Sequence, residues 1–127
     1  MASFMKPWEG ETYAVLRIIA GLLFFVHGTS KIFGYPVPPP PDAPAFVVWG
    51  AGLIELVGGG LIAAGFMTRW AAFICSGTMA VAYWIGHGTK SFFPMTNGGE
   101  LAVIYCFVFL FIAAHGAGKW SVDAARA

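Results

Sequence analysis

Four long apolar segments, separated by short polar stretches, dominate the pattern of this chain. They cover residues 13–33, 46–66, 70–87 and 101–118, and each is almost free of charged side chains. A helix rises about 1.5 Å per residue, so segments of this length can cross a hydrocarbon core of about 30 Å. The pattern therefore predicts an all-α fold, an integral membrane bundle of four transmembrane helices.

The connections leave no room for a separate soluble domain, so residues 1–127 are expected to form one four-helix membrane domain. The first loop is rich in proline between Pro36 and Pro44, which excludes a helix there. The turn around Arg69 is short, and it makes the second and third helices antiparallel neighbours. The pattern assigns no role to the proline-rich loop 36–44.

Composition and charge agree with a membrane protein. The chain is 58% hydrophobic and 10% charged, against about 25% charged for a soluble domain. A net charge of +1 predicts no nucleic-acid partner. Glu9 and Glu11 precede the first apolar segment and no A-x-A-like cleavage site follows it, so we expect a permanent helix rather than a signal peptide.

The basic residues predict an orientation. Most of them lie near the termini or the second turn, whereas Lys31 and Lys90 lie at the opposite helix ends. Because cytoplasmic segments carry the excess of lysine and arginine, both termini are expected to be cytoplasmic.

The two cysteines are not expected to form a redox pair. Counted from the helix ends, Cys75 and Cys106 differ in depth by roughly 10 Å. A disulfide tolerates Cα atoms about 4.4 to 6.8 Å apart. The sequence thus argues against a disulfide or a thiol relay.

Two stretches share one order of residue types: apolar residues, His-Gly-Thr, a lysine, aromatic residues and a proline. They are FFVHGTSKIFGYP from Phe24 and YWIGHGTKSFFP from Tyr83. One interpretation is a pair of related helical hairpins arranged in parallel. The other is that glycine and lysine are ordinary helix-end residues. A third instance, HGAGK from His115, favours the second interpretation.

Glu55 is the clearest candidate for chemistry, because an ionisable residue within a membrane helix is rare. Small residues flank it at helical spacing, including Gly52 and Gly59, which indicates close packing against another helix. Its expected partners on the first helix are Arg17 and His27. These three residues form either a structural ion pair or a buried proton relay, and the sequence leaves both open.

A second polar group is expected at the opposite end from the termini. It contains Lys31, His87, Lys90 and Glu100, beside His27. Lysine and histidine can donate to a quinone or small-anion head group, although lysines at an interface also simply reach water. Two histidines and a carboxylate are a recognised metal-ligand set, but the neighbouring lysines oppose a cation, so no metal is predicted.

The fourth helix has aromatic residues too closely spaced for one helical face. Phe107, Phe109 and Phe111 alternate along it. Part of this helix should therefore meet lipid, another membrane subunit or a second copy of the chain.

Several of these motifs together resemble the DoxX family of small bacterial membrane proteins. They are LRIIAGLLFFVHGTSKIFG in the first helix, GLIELVGGGLIAAGFMTRWAA across the second, NGGE before the fourth, and GAGKWSVD near the end. The resemblance covers nearly the whole chain and implies a four-helix bundle in the bacterial inner membrane. The polar positions that match are Arg17, His27, Lys31, Glu55, Arg69, Glu100 and Asp123, with Gly28 and Gly34.

The resemblance also implies a link to quinone-dependent redox complexes. The leading hypothesis is a membrane subunit of a respiratory-type complex with a quinone or small-anion site near the outer face. The chain has no haem pair, cysteine cluster or nucleotide loop, so quinone is the one cofactor considered and the chain is at most a non-electron-carrying subunit of an oxidoreductase. The alternatives are a structural accessory subunit of a respiratory or photosynthetic assembly and a small proton-coupled transporter.

Overall fold

A computed structural model of the chain describes residues 3–127, which contain helices and no strand. This confirms the all-helical fold. The α-helices are α1 Glu9–Phe33, α2 Gly52–Ala64, α3 Thr68–Tyr83, α4 Pro94–Asn97, α5 Glu100–His115 and α6 Val122–Arg126. Wider π-helical turns precede α2 at Val47–Ala51 and follow α3 at Trp84–Gly88.

Among residues 3–127, two helical segments are long and apolar enough to cross a membrane, Lys6–Phe33 and Val47–Ala64. Glu100–His115 is a shorter apolar helix. Passage of all four long helices through a membrane, and cytoplasmic termini, stay predictions.

The helices depart from the predicted limits at their ends. α1 begins at Glu9 rather than residue 13, which puts two carboxylates in its first turn, where the helix dipole favours them. α5 ends at His115 rather than residue 118, because Gly116 has φ 98° and leaves the helical conformation. No helix forms in residues 34–44, as the prolines predicted.

The bundle is built from two helical hairpins. α1 packs along α2, α3 packs along α5, and α2 also contacts α3. Side chains from all four helices meet in the core between them, where Phe24, Ile62, Cys75 and Phe109 are fully buried. Phe107 and Phe111 are exposed while Phe109 is buried, so α5 does present part of its apolar surface outward.

α1 and α2 approach each other backbone to backbone along a seam of glycines. A Cβ atom at Gly59 would lie 2.5 Å from the backbone nitrogen of Phe25 and 2.8 Å from the carbonyl oxygen of Gly21. A Cβ at Gly28 would overlap the backbone of Leu56. Such contacts between small residues are typical of helices that pack in membranes. They confirm the close helix packing predicted beside Glu55.

We call one end of the bundle the terminal end; it comprises residues 6–17, 62–70 and 113–126. Arg17, fully buried, crosses this end. Its guanidinium donates to the carbonyl oxygens of Ile62 at 3.0 Å, Lys119 at 2.9 Å and Trp120 at 2.8 Å, and also to that of Ala117. Arg17 therefore fastens both the end of α2 and the chain after α5 to α1.

Asp123 completes the first turn of α3 from a distant part of the sequence. Its carboxylate accepts from the backbone nitrogens of Met67 and Thr68, each at 3.0 Å, and from the Thr68 hydroxyl at 2.8 Å. The backbone N–H of Thr68, followed by its hydroxyl and the N–H of Met67, lowers the pKa of Asp123. The carboxylate acts as a helix N-cap, in the way a neighbouring Ser or Asp usually does.

Three further contacts close the terminal end. Arg69 donates to the carbonyl of Ala113 at 3.1 Å at the end of α5, where a cation is favourable. The Tyr13 hydroxyl donates to the carbonyl of Gly116 at 2.6 Å. Lys119 and Glu11 form an ion pair at 2.6 Å.

Both cysteines are free, as expected, but their predicted separation in depth is wrong. Ser76, adjacent to Cys75, donates to the carbonyl of Cys106 at 2.7 Å and lies 3.5 Å from its sulfur. The prediction counted depth from the helix ends. α5 ends three residues early and α3 begins at Thr68, two residues early, so that count placed the two residues too far apart.

Candidate functional site

The other end of the bundle, the loop end, comprises residues 27–55 and 83–101 and contains an ion pair between α1 and α2. Lys31 Nζ lies 2.8 Å from Glu55 Oε1 and 3.1 Å from Oε2. The Glu55 side chain is 3% exposed and that of Lys31 is 24% exposed. A buried carboxylate needs such a partner, because its charge is costly away from water.

The predicted partners of Glu55 are wrong. Arg17 lies at the terminal end and bonds to backbone carbonyls there, and Lys31 takes the place assigned to Arg17 or His27. The reason is register. Gly52, one turn before Glu55, packs against Lys31 and Ile32, so Glu55 lies nearer the end of α1 than a count along regular helices indicated.

The ion pair lines a cavity of about 240 Å³ at the loop end. Its polar lining comes from α1, α2, α5 and the π-helical turn after α3, and consists of His27, Lys31, Glu55, His87 and Tyr105. The remaining lining is mostly apolar and includes Phe24, Met79 and Leu101. The structure thus brings three of the predicted buried or outer polar residues together with Glu55.

Two residues of the predicted outer cluster lie elsewhere. Lys90 is exposed beyond the π-helical turn and does not line the cavity. Glu100 lines a separate surface depression with Phe93 and Met95. Glu100 lies at the start of α5, where its negative charge interacts favourably with the helix dipole. The prediction grouped both residues with the histidines only because they share an end of the bundle.

The two histidines lie against different walls. The His27 ring is 6.0 Å from the Tyr105 ring, edge to face, and within residues 3–127 it makes no hydrogen bond. His87 Nδ1 lies 3.0 Å from the carbonyl oxygen of Asn97. The two copies of the His-Gly-Thr motif therefore meet at one cavity, although Gly28 packs against α2 while Gly88 packs against Trp84 of its own turn.

Asn97 is a site residue that the sequence interpretation missed. It is buried, and its amide nitrogen donates to the Tyr83 hydroxyl at 2.8 Å and to the carbonyl of Ser91 at 3.1 Å. Its side-chain oxygen accepts from the backbone N–H of Gly99 at 2.8 Å. The NGGE motif contains Asn97, but its position before the fourth helix gives no sign that this side chain is buried.

An apolar groove of about 620 Å³ adjoins the cavity. It runs between the start of α2 and the outer part of α3, and Val47, Ala51, Ala82 and His87 line both spaces. Two glycines in its wall, Gly77 and Gly86, have open space where a Cβ would stand. Polar cavity and apolar groove together have the shape that suits an amphiphile with an oxygen-bearing head.

The chemistry available in the cavity is hydrogen bonding and proton exchange. Lys31 donates, Glu55 accepts, and the histidines and Tyr105 can do either. Within the part of the chain that the structure describes, no three His, Cys, Asp or Glu residues lie close enough to hold a metal ion.

Comparison with known proteins identifies relatives along most of the chain. The DoxX family profile matches residues 12–88. An uncharacterized protein of Haemophilus influenzae is 40% identical over 125 residues, covering 94% of this chain and 93% of the relative. A second uncharacterized protein of that organism is 28% identical over 128 residues, covering 91% and 83%. No solved structure was found to match.

Proposed function

Because the chain belongs to the DoxX family, a family of membrane proteins, we propose that it binds a quinone at the loop end as a membrane subunit of a redox complex. The head group would occupy the cavity beside Lys31 and Glu55, and the isoprenoid tail would occupy the apolar groove. The chain supplies the binding site and the partner subunits supply the electron carriers.

The observation that carries the proposal is the continuity of cavity and groove. A small water-soluble anion would bind in the polar cavity alone, and the adjoining apolar groove would add nothing to its affinity. A lipid-soluble ligand with carbonyl or hydroxyl oxygens uses both, since most of its affinity comes from burying its apolar part. His87 lies where the two spaces meet.

The proposal also covers location and partners. We propose that the chain is a multi-pass protein of the bacterial inner membrane, with both termini in the cytoplasm and the loop end on the opposite side of the membrane. The exposed apolar side chains of α3 and α5, such as Phe73, Ile74 and Phe107, support contact with lipid, with other subunits or with a second copy of the chain.

Binding can be measured with the purified protein in nanodiscs, using a short-chain isoprenoid benzoquinone and following the quenching of tryptophan fluorescence. We expect saturable binding in the micromolar range. Lys31→Met removes the donor of the cavity and should weaken binding about tenfold, as expected for a charge-assisted hydrogen bond worth about 1.5 kcal/mol. Lys90→Met is the matched control, because Lys90 lies at the same end outside the cavity.

The groove is tested separately from the cavity. Gly77 lines the groove, and a Cβ there would meet no atom within 4 Å. The side chain of Gly77→Leu should therefore occupy part of the groove, weaken binding of a tailed quinone and leave a tail-less benzoquinone unaffected. Gly50→Leu is its control, because Gly50 also has open space around it and lies outside the groove. Equal effects of the two substitutions would contradict the role of the groove.

The partner proposal needs a different experiment. Purification from native membranes in mild detergent should recover the chain with redox subunits in fixed stoichiometry. Glu55→Gln should lower quinone-dependent turnover of that complex without dissociating it. If turnover is unchanged and the complex persists, the chain is a structural accessory subunit instead.

A further inference from the structure

We infer that His87 is held as its Nδ1–H tautomer and presents Nε2 to the cavity as a hydrogen-bond acceptor, so the site prefers the hydroxyl-bearing, reduced form of its ligand. The tautomer follows from protein contacts alone. The preference for a quinol over a quinone rests on the proposed function.

The first step is the fixed position of the Asn97 backbone. The Asn97 side chain bonds to Tyr83, Ser91 and Gly99. These bonds tie the side chain to three other residues, and Asn97 is buried. Its carbonyl therefore has little freedom to turn away from His87.

The second step is the chemistry of the contact between Nδ1 and this carbonyl. A carbonyl oxygen has lone pairs and no proton, so at 3.0 Å from Nδ1 it can only accept. The proton must be on His87 Nδ1. In a neutral imidazole the other nitrogen, Nε2, then carries the lone pair.

The third step concerns what Nε2 can meet. Among residues 3–127 the one hydrogen bond of the His87 ring is the bond from Nδ1, and His87 lines both the cavity and the groove. Nε2 is thus left for a ligand. It accepts a proton or a hydrogen bond and offers none.

The final step compares the two forms of a quinone. A quinone carbonyl and a quinol hydroxyl can both accept from Lys31 or from the Tyr105 hydroxyl. Only the hydroxyl can also donate to His87 Nε2. One additional net hydrogen bond corresponds to about a fivefold difference in affinity in favour of the quinol.

The tautomer is tested by nitrogen NMR of the full-length protein in nanodiscs with ¹⁵N-labelled histidine. His27→Gln and His115→Gln remove the other two histidine signals and thereby assign that of His87. We expect the two-bond correlations of a neutral ring protonated at Nδ1. A ring protonated at Nε2, or at both nitrogens at neutral pH, would overturn the inference whether or not a ligand binds.

The preference is tested by measuring dissociation constants for the oxidised and dithionite-reduced forms of one short-chain quinone without oxygen. The protein should bind the quinol about fivefold more tightly. His87→Phe, which keeps an aromatic ring and loses the acceptor, should lower this ratio, while His115→Phe at the terminal end should leave it unchanged. Equal affinities in the unmodified protein would overturn the inference and leave the proposed function standing, whereas absence of binding by both forms would overturn the proposed function.

Discussion

Lys31 and Glu55 form an ion pair that is buried on one side only. The carboxylate is 3% exposed and the ammonium-bearing side chain is 24% exposed. Removing either partner therefore has unequal consequences. Loss of Lys31 leaves the Glu55 carboxylate unpaired in the bundle interior. Loss of Glu55 leaves the Lys31 ammonium, which can reorient toward water.

We expect Lys31→Met to lower the free energy of unfolding by about 3 kcal/mol, within the range for breaking a buried pair. Glu55→Gln should lower it by about 1 kcal/mol, the value of an ordinary hydrogen bond. Chemical unfolding in detergent micelles, followed by circular dichroism, measures both. Equal losses, or a larger loss for Glu55→Gln, would contradict the asymmetric burial, and Lys90→Met should have no effect.

The glycine seam gives a second prediction. Gly59→Ala places a Cβ against backbone atoms of Phe25 and Gly21, which cannot move without separating α1 from α2. We expect a loss of about 2 kcal/mol, typical of overpacking. Gly77→Ala, also within a helix but facing open space, should instead stabilise by up to about 1 kcal/mol through helix propensity. Opposite signs in thermal unfolding are the expected result.

Asp123 provides a pH-dependent prediction. Its pKa is lowered in the folded chain by the bonds from Thr68 and Met67, so the folded state binds its proton more weakly than the unfolded state. Its stabilisation is complete above the unfolded pKa of about 3.9 and is lost as the pH falls through the lower folded value. Asp123→Asn replaces one accepting oxygen by an amide nitrogen that cannot accept, so it should cost about 1 kcal/mol at neutral pH, the value of one net hydrogen bond. The difference from the unmodified protein should shrink below about pH 4.

The control for this experiment is Asp42→Asn. Asp42 is exposed in the proline-rich loop and forms no hydrogen bond or ion pair through its side chain within residues 3–127. Its variant should follow the unmodified protein at every pH. A difference between Asp123→Asn and the unmodified protein that stays constant down to strongly acid pH would contradict the capping role of the carboxylate.

The hydrogen bonds of Arg17 hold the segment after α5 against α1, so their loss should release that segment locally. Arg17→Met removes the donors to the carbonyls of Lys119 and Trp120, so this segment should detach from α1 more often. Trypsin cleavage after Lys119 should become about tenfold faster, which corresponds to about 1.4 kcal/mol of local stability. Arg126→Met also removes a basic residue from the terminal end, and it should leave this rate unchanged.

The sequence predicted those features that depend on one helix and its immediate neighbours. The burial of Glu55 followed from small residues at helical spacing, and the helix-free loop 34–44 followed from proline. The partner of Glu55 did not follow, because it depends on the register of α1 against α2. A π-helical turn at Val47–Ala51 and the packing of Gly52 set that register, and neither is visible as a local pattern.

The terminal end was the least predictable part of the fold. Arg17 and Trp120 are 103 positions apart, and Thr68 and Asp123 are 55 apart. No periodicity links residues at such distances. GAGKWSVD could be recognised as a motif, but its role as a cap and clamp for other helices requires the three-dimensional arrangement.

The long sequence separation of these contacts has a consequence for the order in which the protein is made. α1 and α2 can meet along their glycine seam once residue 64 has left the ribosome. Arg17 has to wait for Trp120, and the first turn of α3 has to wait for Asp123. During synthesis the nascent chain therefore holds an arginine without its acceptors at Lys119 and Trp120, and a third helix without its cap, until Asp123 has left the ribosome. The end of the bundle that contains residue 17 closes after the end that contains the glycine seam.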